Sequence, residues 1–163
     1  MKPHLYALPT DPNVAYPVEE DRLMRTLDAL GYLIENSDTD MPQVNTDGVP
    51  FRITVDPRLR FFSLRTTWRP GISFAAHEET LFAVADAWNR ERYFPSIYLV
   101  QAPDGNVEVV IDYIVDCQDG LTDQQLSDAL RVAFQTGPDA VFYIQDAAGP
   151  LLGIGHESPI LPE

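Results

Sequence analysis

The sequence contains one cysteine, and this scarcity limits how the fold can be held together. Cys117 cannot form an intramolecular disulfide, and 163 residues are enough for one ordinary domain to bury a core without disulfides or a metal ion. Polar residues and prolines follow Met1 and Lys2 where a secretion signal would have an apolar run. The sequence therefore predicts a single reduced domain over residues 1–163, located in the cytoplasm.

Basic residues and long apolar runs are also scarce. The 11 Lys and Arg residues are outnumbered by 25 Asp and Glu, which gives a formal net charge of -14. A field of this sign repels phosphate backbones and anionic lipids, so binding to nucleic acid or to a membrane surface is not expected. Such acidity usually keeps a surface solvated, and less often attracts a basic partner. No apolar run approaches the roughly 18 residues of a transmembrane helix.

Catalytic and metal-binding motifs are missing as well. The chain has no GxSxG, Walker or GxGxxG pattern, and His4, His77 and His156 lack the close spacing of metal ligands. Cys117 follows Asp116, whose negative charge raises a thiol pKa and disfavours a nucleophile. We therefore expect no cofactor, no metal ion and no enzymatic activity.

The polar segment 35–48 is predicted to be a loop or a long turn. Asp38 and Asp40 begin like a calcium-binding loop. Pro42 and Gln43, however, occupy the positions at which that motif needs Asp or Asn and then Gly. The segment therefore predicts no calcium site, and its role is left open.

A first helix is predicted to start near Val18, after a proline-rich arm. The three acidic residues behind Val18 suit the positive end of a helix dipole. Leu23, Leu27 and Leu30 form an apolar stripe, and Gly31 supplies the C-terminal stop. This helix must rest its stripe on a sheet or on another helix.

A second helix is predicted from Glu78 to Asn89. Phe82 lies beside the apolar face of this helix rather than within it. The face itself is formed by Leu81, Val84, Ala85 and Trp88.

A third helix is predicted to start at the capping-box pair Thr122 and Gln125 and to end after Phe134, where Gly and Pro at 137–138 break the pattern. The short apolar run 141–144 is either a strand or one more helical turn, because periodicity cannot distinguish them at this length. Core structure is therefore predicted over 17–136, with an N-terminal arm over 1–16 and an irregular tail over 137–163.

Five segments have the composition and alternation of strands. The last two flank an Asp-Gly hairpin turn at 104–105, where glycine accepts the positive φ that such turns demand. With the helices, they predict an α+β domain of order αβββαββα with an antiparallel sheet. The strands are predicted at 32–34, 51–55, 62–68, 95–101 and 107–115.

The last predicted strand has one face that is half apolar and half acidic, and this face is a candidate interface. Val110 and Ile114 supply its apolar part. Tyr98 and Tyr113 lie on adjacent strands and are further interface candidates, because their hydroxyl groups tolerate partial exposure. These four residues are the predicted partner-binding residues.

Three stretches resemble the bacterial YbjN family. They are residues 89–95, the Asp-Gly hairpin with its apolar second strand, and the run Gly-Leu-Thr-Asp-Gln-Gln-Leu at 120–126. The leader from Pro17 and Val18 to Gly31 and Tyr32 extends the similarity, which covers roughly 17–134.

This resemblance implies an α+β fold like that of the type III secretion chaperones, with helices on one face of the sheet. It also implies a homodimer and a non-enzymatic role, since the family is described as sensory transduction regulators. It supplies no catalytic or binding residue that could be transferred to this chain.

Three functional hypotheses follow. The first is a chaperone-like or regulatory module whose homodimer binds an unidentified client or partner protein through an apolar groove or a sheet surface. The second is a small-molecule or metal-dependent enzyme with a site assembled from dispersed Asp, Glu and His side chains. The third is a structural subunit of a larger assembly.

Overall fold

The computed structural model describes residues 11–36, 41–154 and 160–161. It has three helices, α1 (Glu20–Ala29), α2 (Phe74–Glu91) and α3 (Asp123–Leu152). Its strands are β1 (Ile34–Asn36), β2 (Pro42–Thr46), β3 (Val49–Val55), β4 (Phe61–Trp68), β5 (Ser96–Gln101), β6 (Val107–Asp116) and β7 (Ile160–Leu161).

The strands form one antiparallel sheet in the order β1-β2-β3-β4-β6-β5, and β7 pairs with the far end of β4. β5 therefore forms one edge of the sheet. Within the part of the chain that the structure describes, no helix is long and apolar enough to cross a membrane.

The helices cover one face of the sheet, and the core lies between the two layers. Strand residues of this face, such as Phe62, Leu64 and Ile111, are buried against apolar helix residues such as Leu81 and Leu130. The predicted α+β class with an antiparallel sheet is confirmed. The predicted order αβββαββα lacks two observed strands, β2 and β7.

The loop prediction over 35–48 is wrong where β2 lies, at Pro42–Thr46, while residues 37–40 lie outside the described part of the chain. Val44 is fully buried, whereas Asn45 beside it is exposed, and this alternation belongs to a half-buried strand. Pro42 does not prevent the strand because it is the first residue, where the missing N–H is tolerated. Asp47 and Gly48 have φ values of 54° and 78°, as a tight two-residue hairpin turn requires.

The predicted end of α3 is also wrong, since the helix continues through Pro138 and Pro150. The run 141–144 belongs to this helix, so residues 137–152 are helical and not part of the irregular tail predicted from residue 137. The helix persists because its second half buries a continuous apolar stripe, which offsets the cost of an interior proline. That stripe consists of Val141, Ile144 and Ala148, all fully buried.

A candidate protein-binding groove

A cleft of about 500 Å³ lies between α2 and the edge strand β5. Most of its surface is apolar, and it is open along one side. Its lining residues are Phe74, Glu78, Glu79, Phe82, Ala85, Asp86, Asn89, Ile97, Tyr98 and Leu99.

The position of α2 follows from the period of its side chains. Leu81 and Trp88 are buried in the core. Phe82 directly follows Leu81, so its side chain points away from the buried face of the helix. It is 64% exposed, although it is large and apolar. Exposure of this kind at the mouth of a cleft is typical of a binding surface. Phe82 is therefore the apolar centre of the groove.

Two hydrogen-bonded contacts fix the end of α2 against the start of β5. The indole N–H of Trp88 donates to the carbonyl of Pro95 over 2.8 Å. The carboxamide of Asn89 accepts from the N–H of Ile97 at 2.9 Å and donates to its carbonyl at 2.7 Å. Asn89 thus pairs with the edge of the sheet as the peptide group of another strand would.

The acidic side chains of the groove differ in their partners. Asp86 forms an ion pair of 2.7 Å with Arg90, one turn further along α2. Glu78 and Glu79 are exposed and form no ion pair within the described residues. The groove therefore has an uncompensated negative end near the start of α2.

Three of the four predicted partner-binding residues lie on the helix-free face of the sheet. Tyr98 and Val110 are direct cross-strand partners, and Ile114 lies further along β6. Ile114 is 59% exposed and Tyr98 38%, but Val110 is only 5% exposed. Tyr98 also lines the groove, so it belongs to both surfaces.

Tyr113 does not join the other three. It faces the helices, is buried, and packs edge-on against Phe94 with ring centroids 5.1 Å apart. This burial raises the pKa of the Tyr113 hydroxyl. Its predicted role in partner binding would require the core to open, and the geometry offers no support for that role.

A buried polar cluster separates the two apolar parts of the helix-free face. Asp112 is 4% exposed, and its Oδ2 atom accepts hydrogen bonds from Arg65 Nη2 at 2.6 Å and from the Tyr98 hydroxyl at 3.3 Å. Its Oδ1 atom is buried without a partner. The cluster holds the Tyr98 ring over the edge of the sheet, beside the groove.

Cys117 and the histidines were the other residues considered from the sequence as candidates for a nucleophile or a metal site. Burial, followed by the charges of Asp116 and Asp56, raises the pKa of the Cys117 thiol, which keeps it protonated at neutral pH. His77 lies on α2, while His4 and His156 lie outside the described residues. Within residues 11–36, 41–154 and 160–161, no three His, Cys, Asp or Glu side chains come together as metal ligands would.

Sequence reasoning missed most of the groove. Of its lining residues, only Tyr98 was predicted to contact a partner. Two signals were present, because Phe82 is a large apolar residue that lies beside the apolar face of its helix and not within it, and Asn89 follows the last apolar residue of the pattern. Neither signal reveals that β5 lies beside these residues.

Comparison with known proteins identifies a family and a fold. The model of a family described as "YbjN: Putative bacterial sensory transduction regulator" matches residues 19–145. No curated protein matches the chain.

Two solved structures are similar. One is the "Crystal structure of YbjN, a putative transcription regulator from E. coli", with a TM-score of 0.64 and 19% identity over 85% of this chain and 97% of the other. The second is an uncharacterized protein from Methanothermobacter thermautotrophicus, with a TM-score of 0.51 and 13% identity over 79% and 98% of the two chains. Both show that the fold is shared.

Proposed function

Because this chain belongs to the YbjN family, we propose that it is a non-enzymatic regulatory module that acts by binding another protein. The family description and the E. coli structure both refer to regulation, one of sensory transduction and the other of transcription. With a net charge of -14, direct contact with DNA is unfavourable. A protein partner is therefore the natural target of this module.

The observation that carries the proposal is the apolar groove beside an edge strand. Phe82 offers a large apolar contact at the mouth of the groove, and β5 offers backbone groups that no strand covers within the described residues. An extended segment of a partner can use both, because main-chain pairing supplies affinity and side-chain pockets supply specificity. Acidic side chains along the groove disfavour acidic partners.

We place the homodimer contact on the helix-free face of the sheet and the module in the cytoplasm. Ile114 and Phe61 lie diagonally across β4 and β6 on this face, and both are partly exposed. An isologous contact through these residues leaves both grooves of the dimer open.

The proposal is tested by photo-crosslinking in the native cell. A benzophenone amino acid replaces Phe82, and as a matched control it replaces Phe142, which is 42% exposed on α3. A defined crosslinked protein at Phe82 but not at Phe142 supports the proposal. Equal labelling at both positions, or no adduct at Phe82, contradicts it.

A further inference from the structure

The two ends of the groove differ in chemistry. Asn89 lies at the end where β5 begins, held by both backbone groups of Ile97. Glu78 and Glu79 lie about three turns earlier in α2, roughly 15 Å along the axis at 1.5 Å per residue. The start of α2 is fixed near the end of β5, because the N–H of Phe74 donates to the carbonyl of Gly105 at 3.0 Å in the hairpin.

The backbone groups of β5 that face outward can be assigned from two hydrogen bonds. The N–H of Ala102 donates to Asn106, toward β6, whereas the N–H of Ile97 donates to Asn89, away from β6. Residues of an antiparallel strand alternate between these directions. The N–H and C=O groups of Leu99 and Gln101 therefore face outward, above the groove.

We infer that the groove receives one extended strand that pairs with Leu99 and Gln101 and carries a lysine or arginine against Glu78 and Glu79. Asn89 fixes where this strand stops, because its carboxamide already occupies the outward groups of Ile97. This inference rests on the proposed function, since it names the kind of partner segment that the same groove takes.

The charge of the partner follows from the carboxylates that remain uncompensated. Arg90 already neutralises Asp86, whereas Glu78 and Glu79 have no cationic partner among the described residues. A second copy of this chain does not fit, because pairing two β5 edges would bring two pairs of glutamates together in a protein of charge -14. The occupant is therefore a basic segment of a different protein.

The test starts from an array of ten-residue peptides that vary in apolar alternation, charge and proline position, probed with the purified full chain. The inference expects bound peptides to be extended, free of proline at the centre, and basic near one end. The best binder is then N-methylated at each backbone nitrogen in turn. Loss of one ladder hydrogen bond weakens binding by about tenfold at alternate positions only. Amide exchange of Leu99 and Gln101 slows in the complex.

Two substitutions test the two ends. Asn89→Ala frees Ile97, so a binder lengthened by two residues gains about tenfold in affinity for this variant but not for the wild type. The double change Glu78→Gln and Glu79→Gln weakens basic binders by about tenfold at low salt. Glu91→Gln, at the exposed last position of α2, is the control and leaves affinity unchanged.

The outcomes separate the inference from the proposed function. Binding that requires Phe82 but tolerates N-methylation at every position overturns strand pairing and leaves the protein-binding role intact. If Asn89→Ala has wild-type thermal stability and the lengthened binder gains no affinity for it, the inference that Asn89 ends the added strand is wrong. An array without any binder overturns the inference, while crosslinking at Phe82 still decides the proposed function.

Discussion

Arg22 in α1 donates a hydrogen bond to the backbone carbonyl of Leu121 over 2.8 Å, although 99 positions separate the two residues. The same guanidinium donates to the carbonyl of Tyr16 at 2.7 Å and to Asp123 Oδ1 at 2.8 Å. Arg22 is only 7% exposed, and these acceptors, together with the carbonyl of Pro17 at 3.2 Å, replace the water around its charge. It ties the segment before α1 to the start of α3.

Replacement of Arg22 with methionine is expected to destabilise the fold. The apolar stem would still pack, but the hydrogen bonds of the guanidinium would be lost, at roughly 0.5–1.5 kcal/mol for each. The carbonyls of Tyr16 and Leu121 would keep one donor each, because each also accepts from the backbone N–H of the other residue. Urea unfolding followed by circular dichroism measures this loss. Arg25→Met, on the exposed side of the same helix, is the control and should change the free energy of unfolding by less than about 0.5 kcal/mol. Equal effects of the two substitutions would show that the Arg22 contacts contribute little.

Gly120 is expected to tolerate no side chain. Its φ is +78°, and a Cβ atom there would lie 2.8 Å from the backbone carbonyl of Tyr16. Gly120→Ala therefore combines a strained backbone, at roughly 1–3 kcal/mol, with a clash that only movement of Tyr16 can relieve. Gly31 has a similar φ of +85° with no atom within 4 Å, so Gly31→Ala measures the strain alone. The melting temperature of Gly120→Ala should be clearly lower than that of Gly31→Ala in thermal unfolding. The reverse order would contradict the contact with Tyr16.

Local sequence patterns predict the elements whose side chains repeat a burial period. The apolar stripe of α2 and the capping box of α3 are such cases, and Thr122 and Gln125 form both hydrogen bonds of the box, at 2.9 and 3.2 Å. These signals act within a few residues, so the sequence alone is sufficient to show them.

Pro138 and Asn89 show where local patterns stop being informative. Pro138 predicts the end of a helix, but burial of the residues beyond it by the rest of the core decides otherwise. Asn89 looks like an ordinary helix terminus, and its pairing with Ile97 exists only once α2 lies against the edge of the sheet. The groove is a product of tertiary packing, so its residues share no period in the sequence.

The fold is expected to lose stability at alkaline pH. Burial raises the pKa of Tyr113, and burial with nearby negative charge raises that of Cys117, so the unfolded chain releases these protons at lower pH than the folded chain. Their contribution is fully present below the unfolded pKa, about 8.5 for a thiol, and is lost as the pH rises through the folded values. Urea unfolding between pH 7 and pH 11 measures the slope of the free energy of unfolding against pH. Tyr113→Phe and Cys117→Ala should each flatten it, and an unchanged slope in the double variant would refute the assignment.

Replacement of Ile114 with glutamate is expected to dissociate the proposed homodimer without unfolding the chain. Ile114 is 59% exposed on the helix-free face, so a carboxylate is solvated in the monomer but would be buried and unpaired in a contact through this face. Sedimentation equilibrium measures the dissociation constant, which should rise by at least about a hundredfold. Phe142→Glu, at an exposed apolar position on α3, is the control and should leave the constant unchanged. A wild-type protein that sediments as a monomer at micromolar concentration would contradict the dimer itself, and a dimer that survives Ile114→Glu would move the contact to another face.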